Sequence, residues 1–161
     1  MTGVQTCALP ILQRDVLTYI NVFRHLHAAG PLLVDDVIQR AAQNAATTFM
    51  TTKNKDQVPI YQYSANFCTY KGSEAHLDRT CVISWYASMK YFSWCYPKAE
   101  GQALPFVNMI WKASTKAGVG IAKDASGTYY VVVYIALQDA NNVAGNVPPV
   151  KGTCFMMETE N

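Results

Sequence analysis

Residues 105–134 read PFVNMIWKASTKAGVGIAKDASGTYYVVVY. A proline opens an apolar run that ends in Trp111-Lys112, a pattern that predicts a short helix over 106–112. Gly118-Val119-Gly120 opens a strand over 119–123. Asp124 to Gly127 is rich in turn residues. Residues 129–136 alternate aromatic and β-branched side chains, which fit a pleated surface. Two such runs around a tight turn predict an antiparallel hairpin. A helix feeding a hairpin already points to an α+β fold.

Working upstream, Leu12, Val16, Ile20 and Phe23 recur every three or four residues and predict a helix over 12–27, stopped by Gly30-Pro31. A second helix over 35–50 is predicted, with Asp35 or Asp36 as its cap and Val37, Ala41, Ala45 and Phe49 as its stripe. Residues 51–58 read as a loop and 60–70 as a strand. Residues 73–94 carry the longest helical pattern, with Ser73 as N-cap and Leu77, Cys81, Trp85 and Phe92 on one side. Residues 97–105 hold two prolines and Gly101 and read as a loop. Asn141 onward is turn-rich and ends in Pro148-Pro149. Helices before and between antiparallel strands imply layered packing in one domain.

The bulk properties agree. The chain has 161 residues and a formal charge of +2; half its residues are hydrophobic and 15% charged, which excludes a disordered chain. Nothing in the charge pattern favours nucleic acid. No run reaches the roughly 18 apolar residues of a membrane span, so no transmembrane segment is expected. Thr2 to Ile11, TGVQTCALPI, resembles the in-frame translation of a common sequencing adapter. Residues 1–11 are set aside on that ground, leaving one domain over 12–150 and a tail over 151–161. The native N-terminus, and any secretion signal, is then expected to be missing. With Cys7 set aside, Cys68, Cys81, Cys95 and Cys154 remain. Four cysteines allow three disulfide pairings, and the sequence does not choose among them.

Six elements carry a resemblance to a known family. They are Asn21-Val-Phe-Arg24; His27 with Gly30-Pro31-Leu32-Leu33; the helix VDDVIQRAAQNAA; Trp85-Tyr86 followed by Tyr91; the run from Trp111-Lys112 to Gly120; and Tyr134 followed by Asn142-Val143 and Gly145-Asn146-Val147. In this order they resemble the CAP superfamily of cysteine-rich secretory, antigen 5 and pathogenesis-related 1 proteins. The resemblance implies a three-layer α-β-α sandwich around a central antiparallel sheet.

It also implies a site. Typical members line a central cleft with two histidines and two glutamates, a set suited to zinc or another divalent metal. The matching positions here are Asn54, Ala65, Ser88 and Pro105. Ala65 lies in Ser64-Ala65-Asn66, where the family has Gly-Glu-Asn. Ser88 follows Trp85-Tyr86-Ala87, and Pro105 lies six residues before Trp111. None of the four relays protons near neutral pH. His25 and His27 point to different faces of one helix, and His76 stands in the first turn of the long helix with Glu74 and Asp78. No nucleophile elbow or phosphate loop is present. No catalytic residue, metal or other cofactor is therefore expected.

What remains is aromatic surface. Tyr61, Tyr63, Trp85, Tyr86, Tyr91 and Phe92 read either as core packing or as an apolar ligand groove. Several CAP proteins bind sterols or fatty acids, so the resemblance implies a sterol, a fatty acid or a protein as partner. The expectation is a secreted binding protein with a degenerate cavity. The rival is a cytoplasmic or membrane-peripheral scaffold of the plant-pathogenesis-related-like branch. A metal-dependent hydrolase is disfavoured by the missing residues.

Overall fold

The computed structural model describes residues 9–150, with side chains from residue 11. Helix α1 (Leu9–Leu26) starts three residues before the expected boundary. Strand β1 (Leu33–Val34) is followed by α2 (Asp36–Thr52), whose first turn is capped by the Asp35 carboxylate on the amides of Val37 and Ile38. Strand β2 (Tyr63–Lys71), α3 (Leu77–Tyr86), α4 (Leu104–Ile110), β3 (Lys116–Lys123), β4 (Thr128–Ala136) and α5 (Val143–Asn146) complete the chain.

The sheet order is β1-β3-β4-β2. β3 and β4 form the expected hairpin, and β2 pairs antiparallel with β4. The short β1 runs parallel to β3, so the sheet is mixed at one edge. α2 covers one face; α1, α3 and α4 pack against the other. The result is an α-β-α sandwich with one core on each side of the sheet.

Two glycines let α2 lie directly on β3. A Cβ on Gly120 would sit 1.9 Å from the Ala42 carbonyl oxygen, and one on Gly118 would sit 2.4 Å from the Gln39 nitrogen. At that range the amide side chains of α2 serve the strand. Val119 N–H donates to Gln39 Oε1 (2.7 Å) and Ile121 N–H to Gln43 Oε1 (3.1 Å), while Gln43 Nε2 donates back to Ile121 O (2.9 Å). These bonds satisfy β3 where the two-residue β1 has already ended.

Two sequence expectations need correction. The buried stripe of α2 is Ile38, Ala42, Ala45, Ala46 and Phe49, whereas Val37 is exposed. The pattern over 73–94 is not one helix. It opens as a 3₁₀ turn (Glu74–His76), runs as α3, tightens into 3₁₀ (Ala87–Tyr91), and turns extended at Phe92. Ser84 and Ser88 turn their hydroxyls back onto the carbonyls of Cys81 and Trp85 at its end. Phe92 leaves the helix to bury its ring against Trp94 and Phe106.

Cys68 on β2 is bonded to Cys81 on α3, at a sequence separation of 13. Cys95 is also disulfide-bonded. Cys154 lies outside the described residues.

Candidate functional site

β2 is an edge strand, and its outer edge forms one wall of a cleft. The carbonyls of Ala65 and Phe67 face away from β4, where side chains from the helices meet them. Trp85 Nε1 donates to Phe67 O (2.9 Å), and Asn108 Nδ2 approaches Ala65 O (3.4 Å). Asn108 Nδ2 also donates to Asn66 Oδ1 (3.0 Å), and Asn66 Nδ2 donates to Pro105 O (3.0 Å). Both asparagines are buried, so this amide chain ties β2 to the start of α4. Asn108 lines the cleft, and its Oδ1 makes no hydrogen bond among the described residues.

The cleft has a volume of about 810 Å³, within the roughly 300–1,000 Å³ range of small-molecule sites. Its apolar wall is built from Val58, Ile60, Phe67, Tyr91, Leu104 and Pro105. Its polar groups are the amides of Asn66, Asn108 and Gln102, with Lys55 and Asp56 at the rim. A smaller cleft of about 320 Å³ shares Ile60, Ala65, Leu104 and Asn108 with it.

Asn54, Ala65, Ser88 and Pro105, the four positions expected from the resemblance, take different places around this cleft. Ala65 and Pro105 line it. Asn54 stands one residue before the lining, where its Oδ1 accepts from Asp56 N–H (2.9 Å) to start a 3₁₀ turn (Lys55–Gln57). Ser88 is buried beneath it. Its Oγ donates to Trp85 O (2.7 Å) and accepts from Phe106 N–H (2.9 Å). That second bond caps α4 from a distant part of the chain, because Ala103 at the cap position offers no side-chain acceptor. Pro105 stands in the first turn, where a missing N–H costs nothing. Ser88 and Pro105 thus build the helix start that frames the cleft.

The six aromatic residues are divided among three environments. Tyr91 lines the cleft and is half exposed. Trp85, Tyr86 and Phe92 pack in the core on the α1 side of the sheet. Tyr61 and Tyr63 line a separate groove against α2.

His27 is buried at the centre of the aromatic cluster. Its Nδ1 is 2.8 Å from Pro148 O and its Nε2 is 2.7 Å from the Tyr86 hydroxyl. With Nδ1 protonated toward the carbonyl, Nε2 accepts from Tyr86. Burial pushes the imidazole pKa down, opposed by the Pro148 carbonyl. The fully buried Arg24 donates to four carbonyls: Gly30, Met109, Trp111 and Ser114, at 2.7–3.0 Å. Burial lowers its pKa to about 10, so it stays charged at neutral pH. Both residues are structural pins. His25 and His76 are exposed.

Comparison with known proteins agrees with this architecture. The model of the Cysteine-rich secretory protein family, CAP, matches residues 17–135. The chain belongs to the CAP family. The human Golgi-associated plant pathogenesis-related protein 1 is 27% identical to this CAP domain over 121 residues, covering 73% of this chain and 77% of that protein. The venom allergen-like protein 4 of Schistosoma mansoni superposes with a TM-score of 0.64 at 14% identity, over 80% of this chain and 90% of its own. The crystal structure of MpPR-1i gives 0.61 at 21% identity, over 83% and 93%. At these identities the structures establish the CAP fold.

The residues of this CAP domain do not fit the family's metal set. Among the described residues no three His, Cys, Asp or Glu side chains converge as a metal site. Neither Pro105 nor Ala65 in the cleft wall offers a side chain that could ligate a metal. No helix among the described residues is long and apolar enough to cross a membrane. The amides of Asn66 and Asn108 escaped sequence reasoning, because buried carboxamides form no spacing motif. Asn66 was legible only as the last residue of the Ser64-Ala65-Asn66 triplet.

Proposed function

We propose that this CAP domain is a non-enzymatic binding protein whose cleft takes a largely apolar small molecule of the sterol or fatty-acid class. The observation that supports the reading is the cleft lining: an apolar wall with the buried amides of Asn66 and Asn108. Such a wall removes apolar surface from water at roughly 25 cal/mol per Å². The free acceptor on Asn108 suits a single hydroxyl donor, which a sterol supplies. Lys55 at the rim gives a fatty-acid carboxylate a weaker, solvent-screened partner.

Secretion is part of the proposal. The Cys68–Cys81 bond favours an oxidising compartment. The second reading, a membrane-peripheral scaffold that binds a protein, draws on the Golgi-associated relative. The test is equilibrium binding of labelled cholesterol and palmitate, with Tyr91→Ala and Leu104→Glu as cleft variants. Both residues are partly exposed, so the fold tolerates the changes. Saturable binding weakened at least about tenfold in both variants supports the proposal. No binding of either lipid, or binding indifferent to both variants, overturns it in favour of the protein-binding scaffold.

A further inference from the structure

The groove against α2 shares no lining residue with the large cleft. It has a volume of about 410 Å³ and is lined by Ala41, Asn44, Ala45 and Thr48 from one face of α2, and by Pro59, Tyr61, Gln62, Tyr63 and Tyr134. Tyr63 stacks on Tyr134, with ring centroids 5.1 Å apart, and Tyr61 stands edge-on to Tyr63 at 6.4 Å. Tyr134 is itself anchored through its hydroxyl to the Pro59 carbonyl. The aromatic wall is therefore braced from behind.

Tyr61 is the residue that folding does not explain. It is 70% exposed, and its hydroxyl has no hydrogen-bond partner among the described residues. Its φ is +58°, in the left-handed region where a bulky side chain is strained. Glycine or asparagine would hold the Ile60–Tyr63 turn with less strain. The carboxamides of Asn44 and Gln62 beside it also have no partners among the described residues.

Each carboxamide offers a donor and an acceptor in one plane, the geometry that matches two adjacent hydroxyls. An exposed tyrosine ring offers a flat, electron-rich face to a row of C–H bonds. A pyranose sugar presents both features at once: vicinal hydroxyls around its rim and an axial C–H face. No charged side chain lines the groove, so a neutral sugar fits better than a uronate or a sulfated one. A volume of about 410 Å³ also suits one or two sugar units better than an extended proline-rich peptide.

We infer that the Tyr61–Tyr63 groove is a carbohydrate subsite for a neutral pyranose, with Tyr61 as the stacking platform and Asn44 and Gln62 as the hydroxyl-reading amides.

The test is saturation-transfer NMR and calorimetry with glucose, mannose, galactose, N-acetylglucosamine and their β-1,4-linked disaccharides. Millimolar or tighter binding of at least one is expected. Tyr61→Asn should weaken that binding about tenfold or more while the melting temperature holds or rises, because the strain is relieved. A role in stability alone predicts the opposite change in melting temperature. Ala41→Phe, which fills the groove, should also abolish binding, whereas Tyr91→Ala in the large cleft should leave it unchanged. The inference is overturned by no saturation transfer from any sugar. It is equally overturned by binding insensitive to Tyr61→Asn, by binding lost in Tyr91→Ala, or by a proline-rich peptide binding in place of every sugar.

Discussion

Replacing Gly120 with alanine tests the contact that sets the distance between α2 and the sheet. The added Cβ would lie 1.9 Å from Ala42 O and 2.3 Å from Ala42 C, both backbone atoms that no rotamer change can move. Ordinary contact needs about 3.4 Å or more, so α2 must shift by well over an ångström. Overpacking of this kind costs about 1–3 kcal/mol. The shift also stretches both hydrogen bonds between Gln43 and Ile121, at about 1 kcal/mol each. The expected loss is about 3–5 kcal/mol, a large share of a typical domain stability of roughly 5–15 kcal/mol. For a chain of this size that is a fall in melting temperature of about 10 °C or more. Urea and thermal unfolding followed by circular dichroism measure both. Gly30→Ala is the internal control, since a Cβ there meets nothing within 4 Å. If Gly120→Ala changed stability by less than about 1 kcal/mol, the close approach of α2 to β3 would not be what fixes this layer.

Three further outcomes are expected. Arg24→Lys should cost about 2–4 kcal/mol in urea unfolding, because one ammonium cannot reach the four carbonyls held by the guanidinium fork. Removing the Cys68–Cys81 bridge by a double serine substitution should cost about 3 kcal/mol from the short loop it closes; a loss below about 1 kcal/mol would show that the bond adds little. His27 has a depressed pKa in the fold, so the unfolded chain binds the extra proton more readily below its ordinary value of about 6.5. Its contribution is complete above that pH and is lost as pH falls. Stability should therefore drop from pH 7.5 to pH 5, and His27→Gln should flatten that part of the profile.

Much of the fold was legible because strong local signals agreed with it. The β3–β4 hairpin carries turn residues at 124–127 and a β-branched, aromatic run, and Asp35 is a plain helix cap. The buried face of α2 was misread by one position at its start. Its alanines occupy neighbouring stripes, so small side chains hide the true register. The end of α3 was missed because Ser88 and Phe92 are recruited by α4, far along the chain. The cleft was only half readable. Trp85 and Trp111 anchored Ser88 and Pro105 in the family pattern, yet nothing local announces that Ser88 caps α4 or that Asn66 and Asn108 join across the cleft. Those roles come from tertiary contacts between segments 18 and 42 residues apart.

The most direct test of the central claim is where a sterol lands. Titration of isotope-labelled protein with solubilised cholesterol, followed by two-dimensional NMR, reads the side-chain amides of Asn66, Gln102 and Asn108 individually. Saturable shifts are expected at these amides and at the backbone of Ala65 and Leu104, with Gly120 and the Asp124 turn unmoved. Shifts confined to other surfaces, or none at a ligand excess that saturates binding, would contradict it.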